Sequence, residues 1–304
     1  MSVDVVLIAG PTASGKSAAA LELAERLGGT IINADSMQVY SELSVLTARP
    51  SSADETRVPH RLYGHVNVGE RYSVGRYQEE AAAALAEARG AGSIAIFVGG
   101  TGFYFDVLTK GLSPIPAVPA EIRVSTRLRF ESLGREAFFA ELAQRDPATA
   151  AKLRASDTQR ILRAMDVLES SGRPLWQWQT MNGKPVLDGL RIARLVLAPP
   201  RDILSQRIER RFETMVKTGA LEEAKALFDL DPALPAAKAL GLPQLRRHLA
   251  GEIPIESVAA EAKLATKRYA KRQMTWFRNR MKDWNWREDA DLSNIIAWTA
   301  ENIS

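Results

Sequence analysis

The residues from Gly10 to Ser17 read "GPTASGKS", the Gly-x4-Gly-Lys-Ser/Thr spacing of a loop that wraps phosphates. In such a loop Gly10, Pro11, Thr12, Ala13, Ser14, Gly15, Lys16 and Ser17 together form the cradle. Backbone amides surround an oligophosphate, Lys16 neutralises it and the Ser17 hydroxyl holds Mg2+. The loop serves kinases, NTPases and a few transferases, so by itself it leaves the reaction open. Asp35, in "NADSMQ", supplies an acid within reach of the same ligand. Its carboxylate suits a magnesium shell, a general base or a cap for the segment after it. Thr101, in "VGGTG", offers a hydroxyl among small residues that let a ligand approach the backbone, or lies in a plain glycine turn. That stretch also lacks the acid that often holds magnesium in ATP-hydrolysing proteins.

The elements that must position these residues follow from apolar runs. "VDVVLIAG" predicts a buried strand feeding the loop, and "SAAALELAERLG" predicts a helix closed by glycines. "GTIINAD" is a second strand ending in the acid, "YQEEAAAALAEARGAG" a helix, and "SIAIFVGGTG" a third strand. Strands alternating with helices imply an α/β core with a parallel sheet and helices on both faces, and ligands at the carboxyl ends of its strands. Gly10, Asp35 and Thr101 all fall at such ends. From Ser113 the rhythm turns proline-punctuated and helical, through "AEIRVSTRLRFESLG", "REAFFAELAQRD" and "SDTQRILRAMDVLESSG". A helical insertion is therefore expected over 114–187, between core segments 1–113 and 188–304. "RIARLVLAPP" reads as a final core strand, and the remainder reads as helical.

Composition narrows the classes. The 304 residues contain no cysteine, which removes disulfides, thiolate metal sites and a cysteine nucleophile. The three histidines, His60, His65 and His248, are too scattered for a histidine-built metal centre. No basic leader or membrane-length apolar run occurs, so a cytoplasmic protein with no membrane contact is expected. The net charge is +4, but residues 263 to 287 hold nine Lys or Arg against one Asp. That segment carries +8 and the rest of the chain −4, which points to a polyanion-binding surface. At about 100 degrees per residue, Lys263, Lys267, Lys271, Arg278 and Lys282 share one helix face. Ala262, Ala265, Tyr269, Trp276, Phe277 and Trp284 gather opposite. The expectation is lysines outward against an RNA backbone, with Trp276, Phe277, Trp284 and Trp286 as core anchors.

Taken together, "GPTASGKS", "NADSMQVY", "VGGTGFYF", "DTQRILRAMDVLESSGRP" and "RYAKRQMTWFR" resemble, in order and spacing, the bacterial tRNA dimethylallyltransferases. The resemblance runs nearly end to end. It implies a phosphate-loop NTPase-like core and transfer of a dimethylallyl group from its diphosphate to the exocyclic amine of the adenosine just 3′ of a tRNA anticodon, with pyrophosphate leaving. It also implies Asp35 as the base, Arg211 in "RIERRF" beside the pyrophosphate, Thr101 at the reacting region and Mg2+ on Ser17. By the same resemblance, Asp35, Ser36, Met37, Gln38, Thr101, Arg123, Gln159, Arg160, Ile161, Leu162, Arg163, Lys271, Arg272, Gln273, Thr275, Trp276 and Arg278 line the tRNA path. The expected partners are tRNA and dimethylallyl diphosphate, and the expected state is a monomer. Read from the residues alone, Gln159, Arg160 and Arg163 are polar positions on a helix opened by Asp157, with Ile161, Leu162 and Met165 free to pack.

Three stretches depart from the family pattern. "SELSVLTARPS" stands for the more usual "GLDIGTAKPS", "KALGLPQL" replaces a Gly-Tyr segment, and "PHRLYGHV" differs from a double-histidine version. They touch loop packing and tRNA contacts more than chemistry. Three rival readings are a small-molecule kinase, a prenyltransferase acting on free adenylate, and a non-catalytic RNA-binding module. No adenine clamp or arginine-rich lid supports the first, and "QRILR" and the basic segment exceed what the second needs. The third leaves Asp35 beside an intact phosphate loop unexplained.

Overall fold

The computed structural model describes residues 3–181 and 183–288. Six strands form one parallel sheet: β1 (Val5–Ala9), β2 (Thr30–Asn33), β3 (His60–Arg61), β4 (Ala95–Gly99), β5 (Ile192–Leu197) and β6 (Asn285–Arg287). Their order across the sheet is β3-β2-β4-β1-β5-β6, which puts β1 between β4 and β5. Side chains alternate along each strand. Val5, Leu7, Ala9, Ile32, Ala95 and Phe97 therefore enter one core and Val6, Ile8, Ile31, Ile96 and Val98 another.

The second core is closed by α1 (Lys16–Leu27), whose Ala19, Ala20, Leu23 and Ala24 are buried. After the short α2 (Ser52–Arg57), the first core takes in α3 (Val74–Gly90) and α4 (Gly102–Lys110). The chain divides into two compact units, Met1–Thr109 with Val186–Ser304, and Lys110–Pro185. The expected insertion was 114–187, and residues 289–304, counted there with the core, lie outside the described residues.

The second unit is helical. In α5 (Ala120–Arg145), Gly134 sits at φ 75°, which divides the two helices read from the sequence. After α6 (Pro147–Ala150) come α7 (Thr158–Ser171) and α8 (Leu175–Gln179). Asp157 caps α7 by accepting from the Arg160 amide at 3.3 Å. Phe138, Leu142, Ile161, Ala164 and Met165 form the unit's own core. The fully buried Asp146 accepts from the amides of Thr149 (3.0 Å) and Leu175 (3.2 Å), so one carboxylate ties α6 to α8.

Back in the first unit lie α9 (Arg201–Lys217), α10 (Ala220–Ala226), α11 (Leu242–Leu249) and α12 (Ile255–Arg280). Three sequence expectations need correction. "RIARLVLAPP" is not the last strand, because β6 follows the basic helix and pairs with β5. The basic helix stops at Arg280, so Lys282 and Trp284 are not on its faces. Lys263 and Lys267 do not present free charge outward: they pair with Glu213 (3.0 Å) and Glu209 (2.8 Å) of α9.

Candidate active site at the phosphate loop

Leaving β1, the chain turns through Ala13 at φ 63° and Gly15 at φ 94° before α1 begins. Such left-handed positions turn successive amides toward a common point, and the start of α1 adds amides with no intrahelical acceptor. Gly10 has no space for a side chain, since a Cβ would lie 2.6 Å from Ser14 Oγ and 2.8 Å from the Leu197 carbonyl. The Gly10 amide donates to Gly99 O (3.3 Å), the Thr12 amide to Gln273 Oε1 (2.9 Å) and the Ser14 amide to Pro11 O (3.2 Å). Among the described residues, the buried Ser14 hydroxyl has no partner. Lys16, 9% exposed, donates from Nζ to the Pro11 carbonyl at 3.2 Å. Burial pushes its ammonium down to about 8, the Asp35 carboxylate opposes that, and the Arg211 guanidinium adds to it.

Asp35 follows β2 and is held by a residue the sequence reading passed over. Asn33 is fully buried, and its Nδ2 donates to the carbonyls of Asp35 (2.9 Å) and Leu62 (3.0 Å). Its Oδ1 accepts from the Asp35 amide at 2.8 Å. Asp35 Oδ1 in turn accepts from the Met37 amide at 2.9 Å, which leaves the carboxylate half-buried but reachable. Thr101 joins this loop to the end of β4: its Oγ1 accepts from the Ser36 amide (2.9 Å) and donates to Ser36 Oγ (3.2 Å). A polar residue at the end of an apolar strand was the available signal for Asn33.

Arg211 on α9 donates to the Thr47 carbonyl at 3.0 Å, and Gln38 Nε2 donates to the same carbonyl at 3.1 Å. Burial lowers the Arg211 guanidinium and the Asp35 carboxylate works against that, so the two groups face each other electrostatically. One turn earlier, Arg207 donates to the Ser14 carbonyl at 2.9 Å, a contact with the phosphate loop that the motif did not reveal. The divergent "SELSVLTARPS" stretch is pinned from α10, where the Glu223 carboxylate accepts from the amides of Ser44, Val45 and Leu46 at 2.8–3.0 Å. Tyr63, Tyr104 and Tyr269 have hydroxyls raised by burial and further by the Asp35 charge, so they stand around it as neutral phenols. Beside Ser17 opens a cleft of about 350 Å³, walled by Leu21, Ile31, Val98 and Tyr63, with Arg49 and His60 also lining it.

Gly10 to Ser17, Asp35 to Gln38, Thr101 and Arg211 thus converge. Of the residues expected on the tRNA path, Lys271, Arg272, Thr275 and Arg278 are exposed on α12 and Trp276 is half-buried. Lys271, Arg272, Thr275 and Trp276 edge a second cleft of about 340 Å³. Phe103 meets the Trp276 ring edge-on at 6.3 Å and Arg280 lies over it at 5.6 Å. Phe277 is a core residue, as its spacing suggested, and Trp284, beyond the helix, is in the same core. Gln273 is 6% exposed and engaged on both polar atoms. Arg123, Gln159, Arg160 and Arg163 are exposed in the helical unit, and Leu162 is half-buried. Ile161 is fully buried in that unit's core, so it supports α7 and presents nothing outward. Among the described residues no group of three acids or histidines could enclose a metal. The exposed Ser17 hydroxyl fits Mg2+ only as an ion shared with phosphate oxygens and water.

Comparison with known proteins places the chain in a family. The family model "IPP transferase" matches residues 38–280, and "Isopentenyl transferase" matches residues 3–67. The tRNA dimethylallyltransferase of Bradyrhizobium sp. (strain ORS 278) is 53% identical over 293 residues, 96% of this chain and 95% of the relative. That of Azorhizobium caulinodans is 53% identical over 283 residues, 92% of this chain and 90% of the relative. The crystal structure of the tRNA isopentenylpyrophosphate transferase from Bacillus halodurans superposes with TM-score 0.70 at 30% identity, covering 99% of this chain and 97% of that one. A eukaryotic dimethylallyltransferase acting on tRNA gives TM-score 0.78 at 27% identity, over 91% of this chain and 70% of that one. With a family model spanning most of its length and relatives more than half identical from end to end, this chain belongs to the tRNA dimethylallyltransferase family of transferases.

Proposed function

We propose that this protein transfers a dimethylallyl group from dimethylallyl diphosphate to the N6 amine of the adenosine 3′-adjacent to the anticodon in tRNA, working as a cytoplasmic monomer. The observation that carries the reading is one carboxylate, Asp35, held by Asn33 and the Met37 amide where its charge acts on the buried Lys16 and the half-buried Arg211 at the mouth of the phosphate loop. The adenine amine attacks the allylic carbon as its bond to the diphosphate oxygen breaks, and the bonding pair leaves with pyrophosphate. The amine's lone pair is delocalised into the ring, so Asp35 takes the N6 proton as positive charge builds there. Loop amides, Lys16 and Arg211 stabilise the charge that develops on the leaving oxygen. Mg2+ on Ser17 and the diphosphate would add neutralising charge when bound. The cleft beside Ser17 offers Leu21, Ile31 and Val98 as an apolar wall for the prenyl tail.

The acceptor must offer a splayed base, as an anticodon loop does. The exposed cations of α12 and those of the helical unit, Arg123, Arg160 and Arg163, support tRNA as that acceptor. No helix among the described residues is long and apolar enough to cross a membrane.

The test offers radiolabelled dimethylallyl diphosphate or γ-labelled ATP with unmodified tRNA, AMP or no acceptor. Label should enter tRNA alone and only from the prenyl donor, and Asp35→Asn should cut the rate about a hundredfold or more while tRNA binding stays within about tenfold. Label in AMP, or phosphate from ATP in any acceptor, refutes the reading.

A further inference from the structure

Gln273 belongs to the basic helix by sequence, yet its carboxamide points into the protein. It is 6% exposed; Oε1 accepts from the Thr12 amide at 2.9 Å and Nε2 donates to the Gly100 carbonyl at 2.9 Å. The carboxamide supplies one acceptor and one donor here, whereas an ionised glutamate only accepts and leucine does neither. Two glycines of "VGGTG" make space for α12, one for Gln273 and one for Trp276. A Cβ on Gly100 would lie 2.3 Å from Gln273 Nε2, and one on Gly102 would lie 2.1 Å from Trp276 Cδ1. Between them Thr101 binds Ser36, the neighbour of Asp35. Beneath the same loop Ala13 packs on Leu204, Ile208 and Ala270.

We propose that Gln273 is a positioning residue that fixes the phosphate loop and, through Gly100 and Thr101, the Asp35 loop onto α12, so that the RNA-facing helix and the diphosphate cradle move as one piece. The inference rests on the tRNA reading of the exposed face of α12. Lys271, Arg272 and Thr275 lie within one turn of Gln273 but stay exposed, while Ala270 and Phe277 anchor the helix in the cores. With 6% of its surface exposed, Gln273 offers RNA almost nothing to touch directly. As α12 is shared, ligand on one side changes affinity on the other, and the coupling is reciprocal.

The experiment measures inorganic pyrophosphate with Mg2+ by calorimetry, with and without an anticodon stem-loop RNA, and the RNA by fluorescence anisotropy. It compares wild type with Gln273→Glu and Gly100→Ala; the second expels the amide without changing it, its Cβ also lying 3.2 Å from Asp35 Oδ2. Each is tested at a temperature where circular dichroism shows it folded. Either variant should weaken pyrophosphate about tenfold, the size of one hydrogen bond lost. RNA affinity should stay within about threefold, and the effect of RNA on pyrophosphate affinity should fall toward none. Lost RNA affinity with pyrophosphate binding intact would make Gln273 an RNA contact and overturn the proposal, as would unchanged pyrophosphate binding in whichever variant folds. Wild type that binds pyrophosphate but not RNA defeats the tRNA reading instead, and the pyrophosphate arm alone then decides whether Gln273 positions the loop.

Discussion

Replacing Lys16 with methionine should stabilise the ligand-free protein at neutral pH. The side chain is 9% exposed, and burial holds its ammonium at about 8 against an ordinary 10.5. Between those two values the unfolded chain keeps a proton that the native state releases, so stability rises with pH across that window and the penalty is fully present below pH 8. At about 1.36 kcal/mol for each tenfold in proton affinity, the buried charge costs about 3 kcal/mol at pH 7. Methionine matches the length without the charge but gives up the bond to the Pro11 carbonyl, worth about 1 kcal/mol; that carbonyl keeps the Ser14 amide. The net gain should be about 2 kcal/mol at pH 7, shrinking steadily toward pH 10. Urea unfolding at both pH values reads this as a shift in midpoint at constant slope. A loss of stability at pH 7, or a gain that does not fade with pH, would refute the electrostatic account. The same variant should lose pyrophosphate binding, and wild type should take up protons on binding pyrophosphate near pH 8, seen as a buffer-dependent heat.

Two further outcomes are expected. Asn33→Ala removes three hydrogen bonds made by a buried side chain and should cost about 2–3 kcal/mol in urea unfolding, with kcat changing more than the KM for tRNA because the Asp35 loop loses its anchor. An unchanged kcat would detach Asn33 from the site. Lys271→Ala with Arg272→Ala should lower the slope of log affinity for tRNA against log salt by about 1–2. Lys263→Ala with Lys267→Ala should leave that slope nearly unchanged, since those charges are already matched by Glu213 and Glu209; equal effects of the two pairs would refute the distinction.

The central strands, α1 and α7 were legible because each is a contiguous apolar pattern with its own start and stop, such as Asp157 before α7. The strands missed, β3 and β6, have two and three residues, too short for any alternation to register. Their place is set by β2 and β5 alongside them. The helix α11 starts where Gly241 and Pro243 break the apolar pattern, so its bounds were not marked, although Pro is at home in a first turn. The charged face of α12 was overcounted because its neutralising acids lie on α9, some fifty residues away in the chain. Arg207 and Glu223 escaped for the same reason, each acting through the backbone of a distant segment; Asn33 acts mostly on the nearby Asp35 backbone, and a sequence pattern carries side-chain types, not the carbonyls and amides they will meet.

The eight residues of the phosphate loop divide the labour unevenly. Pro11 has no amide hydrogen, and the amides of Gly10, Thr12 and Ser14 are committed to Gly99, Gln273 and Pro11. Among the described residues, those of Ala13, Gly15, Lys16 and Ser17 take no such acceptor. In the proposed complex, one set of amides is masonry and the interleaved set is left to meet the diphosphate. A library of variants across this one motif should therefore sort into two phenotypes, poor expression for lesions at Gly10, Thr12 and Ser14 and good yield with blunted donor affinity for those at Lys16 and Ser17.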